Sequence, residues 1–161
     1  MTADIQNGPV ARALAAIPSG CAVLTARRGD VSTGMLASWV QQAGFEPPMV
    51  TVAVKKQRPI ADLIRRSNRF VLNLLAEGDT QAMFRHFGRG FAPGEPAFEG
   101  LDVEMIGCGV RLTDTLADLS CELSGELPTG DHIVLAGTVV DARAADTGKP
   151  YVHLRKTGLS Y

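Results

Sequence analysis

Apolar positions in this chain change their period several times. Val10, Leu14 and Ile17 recur near the helical spacing, and Pro9 suits a first helical position because its missing N–H is not needed there. This predicts a short helix over 9–16, stopped by Ile17-Pro18-Ser19-Gly20. Residues 21–27 and 31–38 read as two strands joined at Arg28-Gly29-Asp30, where Gly29 tolerates the positive φ of a tight hairpin. Val50-Thr51-Val52-Ala53-Val54 is a continuous apolar, β-branched run, which predicts a strand buried on both faces. Pro59 opens a helix with Ile60, Leu63 and Ile64 on one side, and Arg65 and Arg66 suit its negative end. Residues 70–75 are a further predicted strand, and Asp79 is a candidate cap for a short helix to about Phe87. The stretch 91–96 is a loop by its proline and glycine content. From Leu101 onward the pattern is β, with strands predicted at 101–106, 119–127, 132–143 and 151–154.

Six or seven antiparallel strands with two or three short helices define a mainly β (α+β) chain. They argue for a closed or partly closed barrel, although periodicity does not separate a barrel from a sandwich. The 161 residues suit one domain, 1–161, with a single core and no repeat or linker. No G-x-G-x-x-G follows the first strand, which argues against a doubly wound dinucleotide fold.

Hydrophobic content of 45%, charged content of 20% and a net charge of −1 describe a soluble globular protein. There is no basic face for nucleic acid and no apolar run for a membrane. The N-terminus lacks the basic start and apolar stretch of a signal peptide, so a cytoplasmic protein is expected, and the Met1 start favours a free-standing one. Cys21, Cys108 and Cys121 are odd in number and lack C-x-x-C spacing, which reads as reduced, buried thiols. Asp114, Asp118 and Glu122 give no acid/base pair, and no Ser-His-Asp pattern, phosphate loop or His cluster at metal-ligand spacing occurs. That absence fits redox work, in which a cofactor supplies the chemistry.

The richest stretch is Gly34-Met35-Leu36-Ala37-Ser38-Trp39, followed by Glu46-Pro47-Pro48-Met49, the run ending at Val54, and the cations Lys55, Lys56 and Arg58. A strand ending in small and hydroxyl residues, a rigid proline turn and a strand ending in cations make a cradle for a flat, phosphorylated cofactor. Alternation along a strand points Lys55 and Lys56 opposite ways, so Lys55 or Arg58 is expected on phosphate, not all three. Asn73 places an amide in an apolar strand and must bond either cofactor or backbone. Arg89, between Gly88 and Gly90, can fold over phosphate, whereas His86 reads as structural. Gly130-Asp131-His132 sets a histidine at the start of a strand, and His153 is a second candidate for the same mouth.

Taken in order, GMLASW, AGFEPPM, TVAVKK, RFVLNLLAEG, HFGRGFAPGE, LSCEL, GDH and HLRKTGLSY resemble the flavin reductase family. The similarity is closest to the C-terminal flavin reductase module of diflavin flavodiiron proteins and runs over about 17–161. It implies an FMN-binding split β-barrel, a homodimer, and hydride transfer from NADH or NADPH to flavin. Cofactor contacts are then expected from Met35, Leu36, Ala37, Ser38, Trp39, Ala53, Val54, Lys55, Arg58, Asn73, Phe87 and Arg89, with the 34–39 segment acting largely through its backbone. His132 and His153 are the implied catalytic residues on the nicotinamide side, and Tyr161 resembles a family tyrosine that packs toward the flavin. The chain departs from the subgroup where Leu154 follows His153 in place of a second histidine, so a role needing that pair does not carry over. One alternative is a bound-FMN module passing electrons to a partner protein. Another is a binder of haem, with His86, His132 or His153 as axial ligand.

Overall fold

The structure, a computed structural model, describes residues 8–78 and 80–160. The proposed cap Asp79 and the terminal Tyr161 lie outside the described residues. The elements are α1 (Pro9–Ala15), β1 (Ala22–Arg28), β2 (Val31–Ala37), β3 (Val40–Phe45), β4 (Pro48–Lys55) and α2 (Ile60–Ser67), continuing through β5 (Arg69–Leu74) and α3 (Gln81–Phe87). β6 (Val103–Ile106), β7 (Gly109–Leu112), β8 (Ala117–Thr129) and β9 (His132–Ala144) complete the chain.

A seven-stranded antiparallel sheet runs in the order β2-β1-β5-β8-β9-β4-β3. Its two edges, β2 and β3, are consecutive in the chain. β2 ends opposite β1 at Ala37, and β3 begins opposite β4 at Val40. The sheet therefore closes through the covalent link at Ser38 and Trp39, not through a ladder. This is the partly closed barrel that the pattern predicts.

β4 corrects one expectation. Val50, Val52 and Val54 face the core, at 6%, 0% and 0% exposure, whereas Thr51 and Ala53 on the opposite face are only half-buried. The strand is fully buried on one face alone, because that of a barrel's two faces which points outward needs a separate cover. β3 escapes the sequence pattern because an edge strand reading Val-Gln-Gln-Ala-Gly-Phe is mostly solvated and shows no apolar alternation. β7 escapes it because its four buried residues include Arg111. Residues 151–154 are not a strand. This segment is held as a strap by isolated bridges, Ser19 to His153 and Ala76 to Pro150, and by Gly158 N–H donating to Ala11 O at 3.0 Å.

α2 turns Ile60, Ala61, Leu63 and Ile64 onto the barrel and stops at Asn68, whose φ of 57° is the left-handed cap conformation. The β6–β7 hairpin is fastened by side chains. Thr25 Oγ1 donates to Val110 O at 2.7 Å and accepts from Val110 N–H at 3.0 Å. Asn73 donates to Val23 O and Val110 O, each at 3.1 Å, and accepts from Leu112 N–H at 2.9 Å. Gly109 is required beside this joint, since a Cβ there would lie 2.9 Å from Thr25 Oγ1.

Asp118, one of the acidic residues without an evident role in sequence, is buried in an ion network. Arg111 Nε and Arg143 Nε reach its carboxylate at 2.6 and 3.0 Å, and Arg111 also pairs with Asp141. Replacing Asp118 by Asn leaves two guanidinium groups facing a neutral amide. Because Arg111 keeps Asp141, the expected loss is about 2 kcal/mol, below the roughly 3 to 5 kcal/mol of a buried pair broken outright. The check is a lower urea midpoint at unchanged slope.

Candidate functional site

The break between β2 and β3 is where the site forms. Ser38 and Trp39 belong to neither neighbouring ladder. Trp39 O is instead fixed by Ala53 N–H at 3.0 Å, which ties the break to the backbone of β4 on its β3 side. A cavity of about 240 Å³ opens there. One wall is the chain from Met35 through Leu36, Ala37 and Ser38 to Trp39. The opposite wall is Ala53, Lys55 and Arg58, and Phe84, Gly88 and His153 close the end. A hollow of about 220 Å³ shares Met35 and Arg58 with it and adds Arg89, Gly90 and Glu95.

Strand periodicity explains the wall. Ala53 and Lys55 leave β4 on the face opposite Val52 and Val54. Lys55 is therefore in the cavity wall and Lys56 is not, as the alternation predicts. Arg58 donates to Arg89 O and has no ion-pair partner among the described residues. Gly90, at φ +69°, lets the backbone pass beside this guanidinium, because a Cβ there would stand 3.0 Å from Arg58 Nη1. Arg89 turns its own guanidinium over the Phe91 ring at 4.7 Å.

Three expected contacts fall elsewhere. Val54 points into the barrel core with no exposed surface. Phe87 is fully buried as the support under Gly34, where a Cβ would meet its ring at 3.0 Å. Its helix neighbour Phe84, which was not singled out in the sequence, takes the cavity position. Asn73 has its amide engaged by the β6–β7 hairpin, so of its two readings the structural one describes what is seen. Among the histidines, His86 Nε2 lies 2.8 Å from Ala97 O and is absorbed in the packing of its loop.

His132 is brought near the site, though not into its wall. It is buried at 5% exposure, its Nδ1 is 2.7 Å from Asp131 Oδ1, and its ring centroid is 4.6 Å from that of Trp39. It acts as the back support of the indole. The hydrogen bond from His132 holds the Asp131 carboxyl below its usual range. Arg155 was missed in the sequence; its guanidinium stacks on the Trp39 ring at 5.0 Å. Its signal was weak, a lone cation two residues beyond His153. Asp131, His132, Trp39 and Arg155 thus form one continuous stack.

His153 lines the cavity, and burial, followed by the nearby charge of Arg155, lowers its pKa. The folded state takes up this proton less readily than the unfolded chain, whose value is about 6.5. The side chain therefore costs no stability above that value and destabilises progressively as pH falls below it. His153→Gln is expected to flatten this part of the acid limb in urea titrations between about pH 7 and 5.

A larger cavity, about 520 Å³, lies elsewhere, between Val40, Met49, Leu74, Leu119, Val139 and Tyr151. No Lys, Arg or His lines it, so it offers nothing for a phosphate. No group of three or more His, Cys, Asp or Glu fit to hold a metal occurs among the described residues. Their helices include none long and apolar enough to cross a membrane.

Residues 14–158 match the family described as "Flavin reductase like domain". Diflavin flavoprotein A 1 of Synechocystis sp. is 41% identical over 152 residues, which cover 93% of this chain and 26% of that protein. The putative diflavin flavoprotein A 5 of Nostoc sp. is 42% identical over 159 residues, covering 95% and 27%. The chain thus spans about a quarter of the length of these relatives. Among solved structures, the NADH:FAD oxidoreductase SgcE6 of Streptomyces globisporus superposes with a TM-score of 0.80 at 23% identity, over 91% of this chain and 86% of that one. An FMN-binding protein from Thermus thermophilus gives 0.74 at 21%, over 89% and 85%. These two likenesses show the fold. With the family match spanning nearly its whole length and a strand break built as a basic cleft, the chain belongs to the flavin reductase family.

Proposed function

We propose that the protein is an NAD(P)H:flavin oxidoreductase that binds FMN in the cleft at the β2–β3 break. One observation carries this reading: Lys55 and Arg58 converge on the same cavity as the 35–39 backbone and Trp39. The donor set fits a phosphorylated flavin. Two cations can meet a phosphate, the strand break supplies backbone groups beside an aromatic wall, and Gly90 leaves room for Arg58. Flavin, when bound, supplies the hydride-accepting chemistry. The chain's own residues hold and orient. Lys55 and Arg58 neutralise phosphate, Trp39 and Phe84 shape the apolar walls, and His132 keeps the indole in place. His153 is the residue proposed to meet the nicotinamide.

A homodimer in the cytoplasm completes the proposal. Exposed apolar side chains, among them Phe45 at 90% and Leu127 at 61%, give a second copy something to cover. The three cysteines are free and buried, and burial pushes the Cys21 and Cys121 thiols up to about 12, which leaves them inert.

The second reading is a bound-FMN module that passes electrons to a protein partner. The diflavin flavoproteins favour it, since this chain matches only about a quarter of each. An anaerobic absorbance spectrum, repeated after NADH and then NADPH, separates the two. Flavin bands that bleach with either nucleotide support the reductase. Bands that persist with both support the module, and a protein that retains no FMN after excess is removed and oxidises neither nucleotide with FMN added overturns both.

A further inference from the structure

Three polar side chains that the flavin reading leaves without a phosphate role are linked through the strap at the end of the cleft. Ser19 and His153 exchange both backbone bonds, Ser19 N–H to His153 O at 3.2 Å and His153 N–H to Ser19 O at 2.8 Å. Residues paired in this way send their side chains out on one face. Arg155 lies close enough for its charge to act on His153, and its guanidinium covers Trp39 at 5.0 Å.

Ser19 Oγ, His153 Nδ1, and Nε and Nη1 of Arg155 are all shut from solvent with no hydrogen-bond partner among the described residues. A buried guanidinium N–H without an acceptor is costly, and an aromatic face returns only part of what it loses on leaving water. No carboxylate forms an ion pair with Arg155 among the described residues. Acceptors for a serine hydroxyl and a guanidinium fork can both come from one phosphate, whose oxygens match the fork. Lys55 and Arg58 occupy a different wall, on β4 and the turn after it.

We propose that Ser19 and Arg155 form a phosphate subsite for the pyridine dinucleotide beside His153, and that Arg155 leaves the face of Trp39 to grip its pyrophosphate. The assignment to the dinucleotide rests on the reductase reading. Arg155 is then a specificity-determining residue, which selects phosphorylated hydride donors over a bare dihydronicotinamide.

The chain has one tryptophan, so its fluorescence reports this stack alone. Inorganic pyrophosphate titrated into flavin-free protein is expected to change Trp39 emission with a saturating curve. The change should persist in Arg58→Met and vanish in Arg155→Met. In steady state, Arg155→Met should raise KM for NADH or NADPH about tenfold or more, the loss of one charge-assisted contact. KM for 1-benzyl-1,4-dihydronicotinamide, which has no phosphate, and the Kd for FMN should stay within about twofold. Arg155→Lys should recover part of the loss, and circular dichroism shows whether each variant folds. Equal losses for NADH and the phosphate-free donor would reduce Arg155 to a packing role and overturn the proposal. So would a pyrophosphate response that survives in Arg155→Met, or a loss confined to FMN over riboflavin. If the wild-type protein binds no flavin and oxidises no dihydronicotinamide, the reductase reading fails while the pyrophosphate titration still tests the anion site.

Discussion

Replacing Asn73 by Ala is expected to cost about 3 to 4 kcal/mol of stability and to leave FMN affinity unchanged. The amide is fully buried and serves three backbone groups on two different strands. Truncation removes the acceptor of a buried N–H, that of Leu112, and each such orphan costs about 1 to 3 kcal/mol. Val110 O keeps the Thr25 hydroxyl, which limits the damage there. The lost side-chain volume adds a cavity term. Asn73→Asp should be no better, because a carboxylate cannot donate to Val23 O and Val110 O and its charge would be buried. Urea unfolding monitored by circular dichroism gives the stability loss. FMN titration of the folded variant decides between the two roles that the sequence leaves open for this residue. A weakened FMN Kd with little change in urea midpoint would reverse the assignment.

Asn73 also shows where sequence reasoning stops. An amide inside Phe-Val-Leu-Asn-Leu-Leu announces that a hydrogen-bonding demand exists, since an unpaired one would be too costly. Which group meets that demand depends on a hairpin nearly forty positions away, whose β7 strand gives no periodic signal. The same limit separates Phe84 from Phe87. Both lie on one short helix and only packing tells which side chain reaches the cleft and which supports Gly34. By contrast, Lys55 over Lys56 was legible, because alternation on a strand follows from the backbone alone. The link at Ser38 and Trp39 was legible as chemistry, a hydroxyl and an indole after a strand. That it closes the barrel was not, because β3 is a solvated edge strand without apolar alternation. Arg155 was invisible for a different reason. A strap fixed by isolated bridges has no period, so the stacking of its cation on Trp39 is purely a tertiary fact.

Arg58→Met is expected to weaken FMN binding about 100-fold, or about 2.7 kcal/mol, while riboflavin binding changes by less than about threefold. Arg58 lines both the cleft and the adjoining hollow, and no carboxylate pairs with it among the described residues. Its charge is therefore available to a ligand phosphate. Methionine keeps most of the aliphatic stem, so packing against Met35 and Gly90 is largely preserved and the loss reports charge. Lys55→Met should cost less, because an ammonium offers a point charge where the guanidinium offers a fork, and Arg58→Lys should fall between. Salt sharpens the comparison. FMN affinity of the wild type should decline as ionic strength rises, and Arg58→Met should show a shallower decline. Riboflavin carries no phosphate and should ignore salt in both proteins. Equal weakening of FMN and riboflavin by Arg58→Met would mean that the residue supports the shape of the cleft, and the phosphate would then have to lie against Lys55 or Arg89.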